Sequence, residues 1–425
     1  MHESFLHYLW KYKKFSTLSL ETVQGETIKI LRVGDHNDHS GPDFFNAQLE
    51  IDGQLWAGNV EVHSMSSHWY IHNHEQDIAY QNVILHVVWE HDTEIFTKDN
   101  TPIPTLVLKD FVDIELLNKY QDFSSHSGKW IPCEKDFSSI DDFLLNNWLE
   151  RLYIERLERK SHQVETLLQE SKNNWEAVLF ILLAKNFGLK VNGEAFTSLA
   201  KSLDWSVVSK ITSNINQLEA VFFGQAGLLK EDCQEPFYLE LQKEYHYLRH
   251  KFSLQNHGVL PFQFFKLRPP NFPTIRLAQF ATLYSRHPNL FSKVIDIKTI
   301  EEAYKLFSVS VSPFWKTHYT FKSTSKLANK QLTKSFVNLL FINTIIPLQY
   351  SYAKYLGKQN GEELMTLAST ISPERNSIVD KFNTLKPLTS SAMHSQALIQ
   401  LKTEYCSKLK CLDCAIGNSL LKGNN

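Results

Sequence analysis

Between Val33 and Thr97 the chain has no Lys and no Arg, although that window holds eleven carboxylates and eight of the eighteen histidines. Uncompensated carboxylates repel one another, so a compact fold here needs positive charge from elsewhere, most simply a divalent cation. Cysteine is scarce as well. Five in 425 residues argue against a disulfide-stapled secreted scaffold and turn attention to thiol and metal chemistry. Four Met leave little soft filler, so the interior has to be built on 28 Phe, 16 Tyr and 9 Trp. No apolar run reaches the length of a membrane span, and Met1-His-Glu-Ser opens no basic-then-apolar leader, which predicts a soluble, cytoplasmic protein with no membrane partner.

What is present, 43% hydrophobic and 21% charged residues, suffices for two or more cores. Phe5, Leu6, Leu9 and Trp10 fall at helical spacing within residues 3–14, and alternation over 27–33 predicts a strand. Residues 44–51 and 54–63 flank Asp52-Gly53, the dipeptide of a tight type I′ hairpin. Residues 83–90 are so apolar that they belong in the middle of a sheet, and 105–109 add one more strand. After Pro132-Cys133 the period becomes helical, over 141–170, 174–187, 194–203 and 217–229, with Ser138 or Ser139 as cap and Gly188 as stop. The Pro-rich stretch 267–276 reads as a structured loop feeding a helix. The expected fold is α+β: a small amino-terminal mixed sheet with flanking helices over 1–130, then a large, mainly α-helical region over 131–425 that carries a basic segment and a C-terminal Cys cluster.

Gly41-Pro-Asp43 opens one hairpin strand and Glu61-Val-His63 closes the other. A strict two-residue turn pairs Ile51 with Gln54 and Asp43 with Val62, which points Asp43 away from Glu61. Only a bulge, or the bend after Gly41-Pro42, brings Asp43 round. In the run Ser66 to His74, His72 and His74 would point the same way on a strand, with His68 approaching across a turn, a spacing that zinc and manganese sites use. The bland reading of each histidine is a ring bonded to backbone.

The hairpin pattern resembles the PD-(D/E)XK nuclease superfamily, whose core is a helix, strands bearing Asp and Glu-x-Lys, a helix and a further strand. The resemblance implies Asp43, Glu61 and His63 as catalytic residues, with Asp43 and Glu61 holding Mg²⁺ or Mn²⁺ for attack on a phosphodiester. His63 stands where the superfamily has Lys, and His86 could join it on the metal.

Cys406, Cys411 and Cys414 form a C-x4-C-x2-C cluster near the C-terminus, for which Cys133 or Cys233 could supply a fourth ligand. Either an iron–sulfur cluster or zinc would suit them. Iron–sulfur nucleases of the superfamily just named likewise close a cluster with one distant Cys and a C-terminal trio, at different spacings. The bland alternative is a buried, reduced trio.

Between Tyr245 and Gly361 stand sixteen Lys or Arg against three acids, a net +13, interleaved with aromatics. Phosphates favour such a field and exposed rings stack on bases, so Lys316, Lys322, Lys326, Arg268 and Arg276 are candidate contacts to nucleic acid. The same run could instead be solvated surface, or neutralise acids of its own chain. Finally, Gly58-Asn-Val-Glu-Val-His63, Phe223-Gly-Gln-Ala-Gly-Leu228, Arg268 to Arg276 and Cys411-Leu-Asp-Cys-Ala-Ile-Gly417 are similar to a bacterial family of unknown function, which brings no assigned activity. The expectation is a metal-dependent phosphodiesterase or nuclease, or else a non-catalytic nucleic-acid- or protein-binding scaffold with structural metal.

Overall fold

Asp52 (φ 49°) and Gly53 (φ 79°) both take the left-handed backbone that a type I′ turn requires, and the sheet grows outward from that hairpin. The computed structural model describes residues 1–37, 39–124 and 128–422; Asp38, one of the eleven carboxylates, lies outside them. Helix α1 (Glu3–Lys11) is followed by β1 (Leu20–Glu21), β2 (Thr27–Arg32), β3 (Asp35–His36), β4 (Phe44–Ile51) and β5 (Gln54–Met65). A short helix α2 (His68–Ile71), then β6 (Val83–Glu90), β7 (Thr105–Val107) and α3 (Ile114–Ser124) complete this part. The strand order is β1-β2-β4-β5-β6-β7, with β3 pairing β4. Strands β2, β4 and β5 are antiparallel neighbours, whereas β5, β6 and β7 run parallel. Strand β6 is inner, between β5 and β7, and buried at every position except Glu90, as its unbroken apolar sequence predicts.

Parallel β5 and β6 need a crossover between them. Residues 66–82 supply it, so His72 and His74 are not on a strand as the sequence suggested. The chain passes from α2 through left-handed Asn73 (φ 59°) into the 3-10 turn His74–Gln76.

Helix α1 buries Phe5, Leu6, Tyr8, Leu9 and Trp10, and the Trp10 indole N–H donates to the Val33 carbonyl at 3.0 Å. Each large side chain so buried contributes on the order of 1.5–3 kcal/mol.

The remainder is mainly helical, beginning with α4 (Asp142–Glu170), α5 (Trp175–Phe187) and α6 (Leu189–Lys201). The cap of α4 is Asp141, whose Oδ1 accepts from the Leu144 N–H at 3.0 Å; Ser138 and Ser139 belong to the preceding 3-10 turn instead. Gly188 does end α5, but α6 starts at the next residue because Leu189 turns left-handed (φ 54°). The next helix expected, over 217–229, is Ile215–Gln225, capped by Asn214. Phe180, Phe222, Phe280 and Tyr284 pack ring against ring in this core.

Two compact units result. The first is Met1–Leu145 together with the segment from Lys402 onward; the second is Asn146–Leu401. The sequence placed its boundary at 130/131, beside Pro132-Cys133, where the period becomes helical. Among the described residues no helix is long and apolar enough to cross a membrane.

Candidate metal centre

The β4–β5 pairing starts in the register the turn dictates, Ile51 opposite Gln54 and Ala47 opposite Gly58. It then slips by one residue, so that Phe44 faces Val60. The cause is a bulge at Asn46, left-handed with φ 57°, a conformation Asn tolerates better than most residues. The slip brings Asp43 opposite Glu61 and onto its face. The Asp43 N–H donates to Glu61 Oε2 at 3.1 Å, and the Val62 N–H donates to Asp43 Oδ2 at 2.9 Å.

Glu61 and His63, two apart on β5, point the same way. His86 stands opposite Glu61 on β6. The crossover then lowers His68, His72 and His74 onto this group. Glu61 Oε1 lies 3.3 Å from His74 Nε2 and 3.5 Å from His63 Nε2, and His63 Nε2 is 3.1 Å from His72 Nδ1. His63, His72 and His74 each bring a ring nitrogen within 4.8 Å of the others. A tetrahedral ion with metal–nitrogen bonds of about 2.1 Å has ligand–ligand edges of about 3.4 Å, close to these separations.

His86 has a different place from the metal-ligand role expected of it. Its Nε2 lies 2.9 Å from His63 Nδ1. With His63 donating from Nδ1, its Nε2 lone pair is left facing Glu61 and His72, the usual way an outer residue fixes a ligand tautomer. His86 Nδ1 is buried with no hydrogen-bond partner. Trp69 and Tyr80 wall the cluster, with Tyr80 stacked 3.8 Å from the His74 ring.

Glu61 and His63 are 4% and 2% exposed, while His72 is exposed at the rim. Burial and then the Asp43 charge push the Glu61 carboxyl up to about 9. Burial, then the neighbouring imidazoles, press His63 down, and His86 falls to about 3. The Glu61 carboxyl and one ring nitrogen each from His63, His72 and His74 are a donor set for a transition metal.

Two residues of α1 complete the surroundings and were not singled out in the sequence. His7 Nε2 lies 3.4 Å from Asp43 Oδ2; burial works to lower its pKa, but the bond and charge of Asp43 outweigh it and raise it. Glu3 Oε1 meets His68 Nδ1 at 3.3 Å. Their signal was there: an acid and an imidazole at i, i+4 share one face of an amphipathic helix.

The basic candidates do not share one environment. Arg268 and Lys326 are exposed and Lys316 is half-buried. Lys322 is exposed and paired with Glu231 at 2.5 Å. Arg276 is buried, donating to Gln279 and Asn271 at 2.9 and 2.7 Å, so the phosphate contact expected of it gives way to a structural role. Lys330 is likewise buried, donating to the Trp315 and His318 carbonyls, each at 2.6 Å. Trp315, one of the interleaved aromatics, is core, stacked on Phe223.

Residues 3–377 match the family described as a protein of unknown function (DUF2851). No curated protein and no solved structure matches the chain.

Proposed function

We propose, for a chain that belongs to the DUF2851 family, a metal-dependent phosphodiesterase or nuclease centred on Glu61, His63, His72 and His74. The observation that carries this reading is the convergence of the Glu61 carboxyl with three imidazole nitrogens at coordination spacing. An imidazole-rich set favours Mn²⁺ or Zn²⁺ over Mg²⁺, which prefers oxygen ligands. A divalent ion held there supplies Lewis acidity to a phosphoryl oxygen and to the attacking water.

The chain's own groups do the rest. His86 holds the His63 tautomer. Asp43 keeps the Glu61 carboxyl in register through its backbone N–H, and its own carboxylate, 21% exposed beside His7, is placed to pass a proton at the rim. Support for a phosphodiester substrate comes from the Asp and Glu hairpin after a leading helix, and from the exposed cations Arg268 and Lys326 in the basic second unit.

One observation favours a second reading, a non-catalytic binding scaffold with structural metal: Glu61 and His63 are almost fully enclosed. Purified protein incubated with Mn²⁺ and single- or double-stranded DNA or RNA separates the two. Cleavage that falls at least ~100-fold in Glu61→Gln supports the enzyme. Cleavage unchanged by that substitution removes this site, and metal retention without cleavage of any of the four substrates favours the scaffold.

A further inference from the structure

Four of the five cysteines, Cys133, Cys406, Cys411 and Cys414, belong to the first unit. Cys406 begins the 3-10 turn Cys406–Lys408, and left-handed Leu409 (φ 53°) reverses the chain. Cys411 and Cys414 then flank a tight turn in which the Cys414 N–H donates to the Cys411 carbonyl at 3.3 Å. The helix Ala415–Lys422 seats this turn: Asn418 Nδ2 donates to the Leu412 carbonyl at 2.8 Å. Gly417 comes so near that a Cβ there would lie 2.2 Å from the Cys411 oxygen.

Facing the turn is the loop that carries Cys133. Lys402 Nζ donates to the Trp130 carbonyl at 2.9 Å, tying the two segments together. The loop is itself pinned by the Trp130 N–H on Glu134 Oε2 at 2.8 Å and the Asp136 N–H on the Cys133 carbonyl at 3.1 Å. The Cys406 thiol is in electrostatic reach of Cys133, Cys411 and Cys414, and Cys133 in reach of Cys411 and Cys414. Cys233, the other sequence candidate for fourth ligand, stands in the second unit near Tyr238. None of the five is in a disulfide.

We propose that Cys133, Cys406, Cys411 and Cys414 form a four-thiolate metal centre that fastens the C-terminal segment to the loop at 130–136. Hydrophobic packing alone asks for apolar side chains here, not four sulfurs drawn from positions so far apart in sequence. A thiophilic cation takes cysteine side chains as thiolates, each thiol releasing its proton to solvent as its sulfur binds. Lys402, beside Cys406, offsets part of the resulting negative charge. Zinc and an iron–sulfur cluster share this ligand chemistry.

The test uses the full chain purified without oxygen, assayed for zinc, iron and acid-labile sulfide. Wild type, Cys233→Ser and His72→Ala are expected to carry about one such centre per chain, and Cys411→Ser/Cys414→Ser to lose it. Zinc without sulfide identifies the mononuclear site; iron with equivalent sulfide and a brown colour identifies the cluster. Wild-type protein stripped of metal and titrated with Co²⁺ supplies a readout that does not depend on the Ser variants folding: sulfur-to-cobalt charge-transfer absorption is expected. The proposal is overturned if wild type holds no more zinc, or iron with sulfide, than the double variant and binds Co²⁺ without that absorption. Because His72→Ala is scored separately, failure here leaves the histidine centre standing, and the reverse.

Discussion

Arg276 donates to Gln279 and Asn271 and lays its guanidinium 3.7 Å from the centre of the Phe336 ring. Removing it strands the buried Gln279 acceptor and the half-buried Asn271 one and leaves a void, so Arg276→Ala is expected to lower stability by about 2–4 kcal/mol in urea unfolding. A phosphate-contact role would instead leave stability unchanged. Glu219 makes a different prediction. It is fully buried, accepts from Ser312 Oγ at 3.1 Å, and burial lifts its carboxyl from 4.5 to about 8. Between those values the folded chain keeps a proton that the unfolded chain has released, so this group's contribution to stability falls as pH rises. Glu219→Gln should therefore flatten the decline of Tm between about pH 5 and about pH 8 relative to wild type; parallel curves would show that Glu219 is ionised in the fold. Residue types alone could not reveal either case, because sequence gives a side chain's charge but not its burial.

At the scale of elements, the hairpin was legible because Asp52-Gly53 has few other uses, and β6 because seven successive positions, Val83 to Trp89, suit a strand covered on both faces. The bulge was legible only as a condition. A period-2 count puts Asp43 and Glu61 on opposite faces, and nothing in Asn46 announces that it will turn left-handed. Asp43→Ala, which removes the carboxylate beside His7 without touching the register, should cut cleavage at least ~10-fold while metal content persists; unaltered cleavage would show that Asp43 does not serve the site. The crossover histidines were misread as a strand for a related reason. Their spacing fits one, but the parallel partnership of β5 with β6, which forces a crossover, is a property of the sheet and not of residues 66–74. Gly58 shows how tightly these strands meet: a Cβ there would lie 2.7 Å from the Asn82 carbonyl and 2.4 Å from Ile84 Cγ2. Gly58→Ala should cost about 1–3 kcal/mol in denaturant unfolding, and an unchanged midpoint would mean that β6 yields freely.

On the scale of the whole molecule, composition marked an acidic window at 33–97 and a basic segment at 245–361, which fall in the first and second unit. It missed that the chain returns from Lys402 onward to the unit where it began. That return buries Cys414, Ile416 and Leu421, so truncation after Leu401 is expected to expose Met1–Leu145 to limited proteolysis while Asn146–Leu401 stays resistant. Equal resistance of both units would show that the segment adds nothing. The account as a whole depends on a cation at the floor of the histidine cluster. Crystals soaked in Mn²⁺ or Zn²⁺ and measured at the metal's absorption edge test this most directly. An anomalous peak among Glu61, His63, His72 and His74 is the predicted result; diffraction from fully soaked crystals with no peak among those four side chains would contradict it.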